Sequence, residues 1–146
     1  KVKVNLFAVD GTKILEEQEN TPFQNLMVDT MQLRKIVITL IHRLLDTTKL
    51  DSSRIKAVAT SGHGNGLYLM GEDGILPYGY SSMFEQSQAF TPDLDKVFSI
   101  TNQPSWSGQP LPILAYIKNK EAEIFSRIKK VLFCKDIIKY FLKHSF

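Results

Sequence analysis

Val2, Val4, Leu6 and Ala8 alternate with other residues along the start of the chain, so they share one face if it is extended. That period of two predicts a strand over residues 2–9. Asp10-Gly11 then supplies a strong two-residue hairpin signal, and Lys13–Glu19 is predicted to return as the partner strand. The stretch "NTPFQ" breaks the pattern. Beyond it the period changes: Leu33, Ile36, Val37, Leu40, Ile41 and Leu44 recur at the spacing of one buried helical stripe. Asp29, with Gln32 three positions on, is placed to cap that helix. His42 falls beside the stripe and reads as a boundary histidine.

After the connection "LDSSR", residues 55–60 form an apolar run bounded by polar turn residues, which predicts a short strand covered on both faces. Residues 67–70 and 75–80 are predicted strands on either side of the turn "GEDG". Residues 81–92 are polar and irregular, 93–100 suggest a short helix, and "TNQPSWSGQP" is a loop. Helices are predicted over 111–118, 121–128 and 136–142, with a short buried strand over 131–134. The order is that of an α/β chain mixing antiparallel and parallel strand pairs.

Composition narrows the class. With 146 residues, 43% of them apolar and 23% charged, the chain suits one soluble globular domain or part of a larger one. No apolar run approaches the ~20 residues of a membrane span, and residues 1–3 lead into alternation, not into the core of a cleavable signal. Membrane partners are therefore not expected. Cys134 is the sole cysteine, which excludes an internal disulfide and suggests a reducing cytoplasm. Residues 118–143 hold eight Lys/Arg against three acids, a local balance of +5 within a net +3. These cations are spaced along the segment as on a solvated helix face, so no nucleic-acid partner is expected. The chain lacks an initiator Met and opens inside a strand pattern, as an excised piece would.

The stretch "TSGHGNG" carries most of the candidate chemistry, with glycines at 62, 64 and 66. It does not end in the Gly-Lys-Ser/Thr of a Walker loop, and "LYLM" after it is a strand where a dinucleotide fingerprint needs a helix. Glycine admits positive φ and close approach of a ligand to the main chain. His63 and Asn65 between them offer both donors and acceptors, which suits a neutral polyhydroxylated ligand. A solvent-exposed turn explains the same composition, and composition leaves the two readings open. His42, His63 and His144 lie on different elements without paired Cys/His spacing, so no metal site is expected. Ser61, His63 and Asp73 could be imagined as a catalytic set, but no G-x-S-x-G elbow accompanies them. Cys134, next to Val131, Leu132 and Phe133, reads as a small core residue and not as a nucleophile.

Taken in order, these segments resemble the FGGY carbohydrate kinases. "KVNLFAVDGTKI" resembles the family's second strand with its Asp-Gly turn. "AVATSGHGNGLYLMGEDGILPYGYSSM" is similar to its sugar-site strand, loop and strand. "WSGQPLPILAYIKNKEAEIFSRIKKVLFCKDIIKYFL" is similar to the segment running from its Trp and Gly-Gln-Pro through an apolar helix. The His-Gly-Asn-Gly loop and the Trp…Gln-Pro pair look most like the L-xylulose kinase branch.

The resemblance implies an actin-like, ribonuclease-H-like ATPase domain, a mixed sheet with flanking helices, here truncated at both ends. It implies ATP and Mg²⁺ as cofactors and γ-phosphoryl transfer to a sugar, a pentulose such as xylulose, in a cytoplasmic enzyme. Carried over by position, His63, Gly64 and Asn65 would contact the sugar, with Trp106 and Gln109 walling its pocket. No catalytic, nucleotide-binding or metal-binding residue is carried over. The family's first strand with its Asp-x-Gly-Thr phosphate loop would precede Lys1, and its catalytic Asp and nucleotide domain would follow residue 146. Phe84 and Gln86 stand where the family often has Asp and Arg. That departure keeps open a rival reading, a non-catalytic α/β binding domain descended from a kinase. An unpaired sheet edge near residues 2–9 would also allow pairing of two copies as a homodimer.

Overall fold

The computed structural model describes residues 1–91 and 93–145. Pro92, the last residue of the expected irregular stretch, and Phe146 lie outside the described residues, as do the side chains of Leu94 and Asp95.

The first hairpin forms, but its first strand stops at Phe7 and its turn takes in Val9 as well as the expected Asp10 and Gly11. β1 (Val2–Phe7) pairs antiparallel with β2 (Lys13–Glu19), placing Val4 opposite Glu17 and Leu6 opposite Leu15. At the turn, the Gly11 N–H donates to the Ala8 carbonyl at 3.0 Å and the Thr12 N–H to the Asp10 carboxylate at 2.9 Å. The two strands make a sheet of their own.

A second, five-stranded sheet has the order β3-β4-β6-β5-β7. Its strands are β3 (Phe23–Gln24), β4 (Met27–Asp29), β5 (Leu67–Gly71), β6 (Gly74–Tyr80) and β7 (Lys130–Leu132). Period-two alternation along β5 divides the core. Leu67 and Leu69 join Leu76, Tyr80, Phe84, Ile113 and Ile117 in one cluster. Tyr68 joins Val28, Leu33, Val37, Ile137 and Phe141 in another. Helices cover both faces of the sheet: α1 (Thr30–Thr48) and α5 (Cys134–Lys143) one face, α3 (Pro110–Lys120) the other. Two shorter helices, α2 (Leu94–Thr101) and α4 (Ala122–Arg127), flank α3 in sequence.

α1 starts where its cap predicts, with the Gln32 N–H donating to the Asp29 carboxylate at 2.9 Å. Its buried residues Leu33, Val37, Leu40 and Leu44 are the expected stripe, and Ile36 and Ile41 sit at its margin. The Thr30 hydroxyl at its first turn reaches the carbonyls of Leu76 and Pro77 at 2.7 and 2.8 Å, fastening helix to sheet. α3 opens on Pro110, at a position where a helix has no use for an N–H.

Three expectations are corrected. Residues 55–60 are not a strand. They follow a 3₁₀ turn, Ser52–Arg54, as an extended segment whose Val58 is 69% exposed. Among the described residues, no backbone hydrogen bond joins 56–65 to a neighbour, and an extended run without a partner edge has no ladder to enter. Every strand pair among the described residues is accordingly antiparallel. Conversely, "NTPFQ" was expected only to interrupt the pattern, yet it leads into the hairpin β3–β4. Asn25 and Leu26 both take positive φ, 49° and 64°, the two-residue turn matching strand twist. Finally, the irregular stretch contains a 3₁₀ helix, Glu85–Phe90.

Candidate sugar-binding site

The glycine loop enters the sheet at Gly66, where φ is +77° and a Cβ would stand 2.4 Å from the Tyr80 carbonyl oxygen. Only glycine fits both demands. There the Gly66 N–H donates to the Gly108 carbonyl at 2.8 Å, joining this loop to the one carrying Trp106 and Gln109. The two segments singled out from sequence, more than 40 residues apart, therefore meet.

His63 and Asn65 are both half-buried. His63 Nδ1 contacts the Asn65 carbonyl oxygen, and Nε2 lies 3.4 Å from the Tyr68 hydroxyl. Gly64, between them, is exposed, takes no positive φ, and a Cβ on it would meet nothing within 4 Å. Packing and backbone geometry explain Gly66; neither explains Gly64.

Trp106 is 43% exposed on its loop. Gln109, the residue before α3, is committed within that loop. Its side-chain oxygen accepts the Trp106 N–H at 3.3 Å and its amide nitrogen donates to the Pro104 carbonyl at 3.0 Å. Gln109 thus braces the turn that presents Trp106. His63 makes no contact with Asp73, so the imagined Ser61-His63-Asp73 set is not assembled.

Phe84, at the departure from the family pattern, is 1% exposed and packs edge-on against Tyr80 and Tyr116, ring centres 5.0 and 5.1 Å away. Gln86 accepts the Tyr116 hydroxyl at 2.9 Å. Phe84 thus belongs to an aromatic core under the 3₁₀ helix, and the exposed Gln86 ties Tyr116 to it, with no charge at either position. Nearby, the Tyr80 hydroxyl donates to the Glu121 carboxylate. Burial, reinforced by that carboxylate, pushes the Tyr80 phenol well up from its ordinary value.

Two residues at the loop's base were not anticipated as chemistry. Tyr68 was read as strand, which it is, but its ring faces the α1–α5 side and its hydroxyl reaches His63 and Cys134. Cys134, expected at the end of a strand among core neighbours, is half-buried and is the first residue of α5. Only the alternation of Leu67, Tyr68 and Leu69 hinted that the tyrosine turns away from its neighbours.

The chain is an α/β domain whose glycine loop, at the rim of a helix-covered sheet, is joined to a second loop bearing an exposed tryptophan. Its fold is that of the actin-like, ribonuclease-H-like ATPases. Against solved structures the chain superposes on one described as a xyloylose kinase from Brucella ovis (TM-score 0.80, 25% identity, 94% of this chain and 31% of that one). It superposes equally on a gluconate kinase from Lactobacillus acidophilus (TM-score 0.79, 22% identity, 96% and 30%). In sequence it is 24% identical over 124 residues to the "Probable L-xylulose kinase" of Pasteurella multocida, covering 78% of this chain and 25% of that protein. It is 23% identical over 124 residues to the "L-xylulose/3-keto-L-gulonate kinase" of Escherichia coli, covering 78% and 24%. Residues 2–146 match the FGGY family of carbohydrate kinases, N-terminal domain, and the chain belongs to that family. It spans about a quarter of the length of these curated relatives.

Proposed function

We propose that this chain is the sugar-binding part of an ATP-dependent carbohydrate kinase acting on a pentulose such as xylulose. The observation that carries the reading is Gly64, a glycine required neither by backbone conformation nor by packing, held between half-buried His63 and Asn65. A ligand approaching the main chain there would be a demand for glycine that the free chain does not display. The imidazole and the Asn65 amide answer hydroxyls, and Trp106 offers an apolar wall to a sugar ring or chain. The relatives' names point to the same class of substrate.

The residues present do not fit ATP or Mg²⁺. Among the described residues no three His, Cys, Asp or Glu side chains converge on one point, and the glycine loop runs into strand β5 where a phosphate cradle needs a helix end. We place the nucleotide, the metal and the general base on parts of the protein beyond these residues. This chain's part is to bind and orient the sugar, so that its hydroxyl is held for attack.

Trp106, the sole tryptophan, reports directly on the site. Titration of the chain with a panel of ketoses and aldoses is expected to change its fluorescence saturably for pentuloses. Gly64→Ala is expected to weaken that response about tenfold while leaving thermal stability unchanged, the Cβ standing in the ligand's space. A response absent for every sugar, or undiminished by Gly64→Ala, would overturn the reading. The rival, a non-catalytic relative, draws on Phe84, whose burial leaves no charge at that position. It is favoured if the longer protein binds a pentulose yet releases no ADP.

A further inference from the structure

Below the glycine loop, three side chains from distant parts of the chain meet: His63 from the loop, Tyr68 from β5 and Cys134 from the first turn of α5. The loop is fastened over the helix start at two points. The Thr60 hydroxyl donates to the Lys135 carbonyl at 3.1 Å, and Gly62 passes so close that a Cβ on it would lie 2.5 Å from Cys134 Sγ. We infer that Cys134 and His63 form a thiolate–imidazolium pair, a modification site at which a hydroperoxide oxidises the cysteine to a sulfenic acid.

The tautomer follows from the partners. A carbonyl oxygen only accepts, so His63 Nδ1, set against the Asn65 carbonyl, carries a hydrogen. In the neutral ring Nε2 is then the basic nitrogen, and it is the one turned toward the Tyr68 hydroxyl. That hydroxyl donates in turn to Cys134 Sγ at 3.9 Å, and burial, added to by the neighbouring thiol, holds the phenol protonated. A proton leaving the thiol has an acceptor in His63, and the sulfur left behind keeps a donor in Tyr68. Helix α5 adds its N-terminal dipole to the anion. Burial alone would push the thiol up, but the hydrogen bond and charge of His63 outweigh it and hold it below its ordinary value. His63 is moved up correspondingly, chiefly by its hydrogen bond to Cys134 and despite its own burial.

On α5 itself Lys135 is paired with Asp136 at 2.7 Å. The cluster that Cys134 packs against takes Leu33 and Val37, with Ile41 beside them, from α1 and Val28 from β4. In the oxidation the thiolate attacks the terminal oxygen of ROOH, forming the S–O bond as the O–O bond breaks. Sulfur is oxidised and the peroxide reduced. The departing alkoxide takes the imidazolium proton, giving Cys–SOH, ROH and neutral His63. The assignment stands whether or not the loop holds a sugar.

As the chain has one cysteine, intact-mass spectrometry reads its modification without ambiguity. Iodoacetamide alkylation, followed from pH 5 to 9, is expected to be about tenfold faster at pH 7 in the folded chain than in guanidinium. Its midpoint should lie below that of the unfolded thiol. After hydrogen peroxide, dimedone should trap one adduct, absent in Cys134→Ser. His63→Gln is expected to return the rate to the unfolded value. Tyr68→Phe, which keeps the ring in the core, should lower it partly, so that a misfolded histidine variant does not decide the outcome. A folded rate at or below the unfolded one, an unshifted midpoint, or a dimedone adduct that persists in Cys134→Ser would overturn the assignment.

Discussion

Gly66 and Gly64 show how differently two glycines of one motif are employed. Gly66 needs a positive φ and has the Tyr80 and Ser81–Ser82 backbone against its α-carbon, whereas Gly64 faces open space. Gly66→Ala is therefore expected to cost about 2–3 kcal/mol, read as a shift in denaturant midpoint, because neither the backbone conformation nor the neighbouring carbonyl can yield cheaply. His63 and Asn65 were legible as candidate ligands from their side-chain chemistry and the glycines around them. The thiol chemistry was not. Tyr68 and Cys134 are 66 residues apart, and the apolar neighbours of Cys134 describe a core position equally well. What separates a core thiol from an activated one is a histidine that only folding brings to it.

Elements whose signals are local form as expected: the Asp-Gly hairpin, the Asp29 cap and the stripe of α1. Helix α5 starts without a capping side chain of its own, since Phe133 has no acceptor, and the Asp136 carboxylate takes the Phe133 N–H at 3.3 Å. The Lys135 ammonium, bonded to Asp136, is the main influence holding that carboxyl below its ordinary value, with the Phe133 N–H adding to it. Lowered in the folded state, it contributes stability that is full above pH 4 and lost as pH falls through its folded pKa. The stability difference between wild type and Asp136→Asn should accordingly be visible at pH 6 and shrink toward pH 3.

The segment 55–60 is the element where composition misleads. An apolar run between turns names a strand, but strand structure also requires an edge to pair with, and none is beside it here. The amides of 56–60 are expected to exchange with solvent close to the intrinsic rate while those of β5 are protected, and protection of 56–60 matching β5 would contradict this description. The β3–β4 hairpin fails in the opposite direction. Leu26 occupies a left-handed position where Gly is the familiar signal, so the turn is hidden from a reader of residue types.

At the level of the whole molecule, one sheet buried by helices on both faces carries a loop pair at its rim, and a separate hairpin packs against α1. Among the described residues no helix is long and apolar enough to cross a membrane. Among those residues no group of three or more His, Cys, Asp or Glu side chains is gathered to hold a metal ion, the kind of charge that neutralises a transferring phosphoryl group. A coupled ADP-release assay on the 146-residue chain with ATP and xylulose is expected to give no rate above blank, and measurable turnover would show that a base and a phosphate site are present after all.

The amino-acid order alone determined the helical stripe, the caps, the first hairpin and the glycine loop with its family resemblance, because each is written within a few neighbouring residues. Only the tertiary structure decided which extended runs find a partner edge, that the loops of His63 and Trp106 meet at Gly66 and Gly108, and that Cys134 lies beside His63. Those outcomes depend on hydrogen bonds and contacts between segments tens of residues apart, and no local period or propensity encodes them.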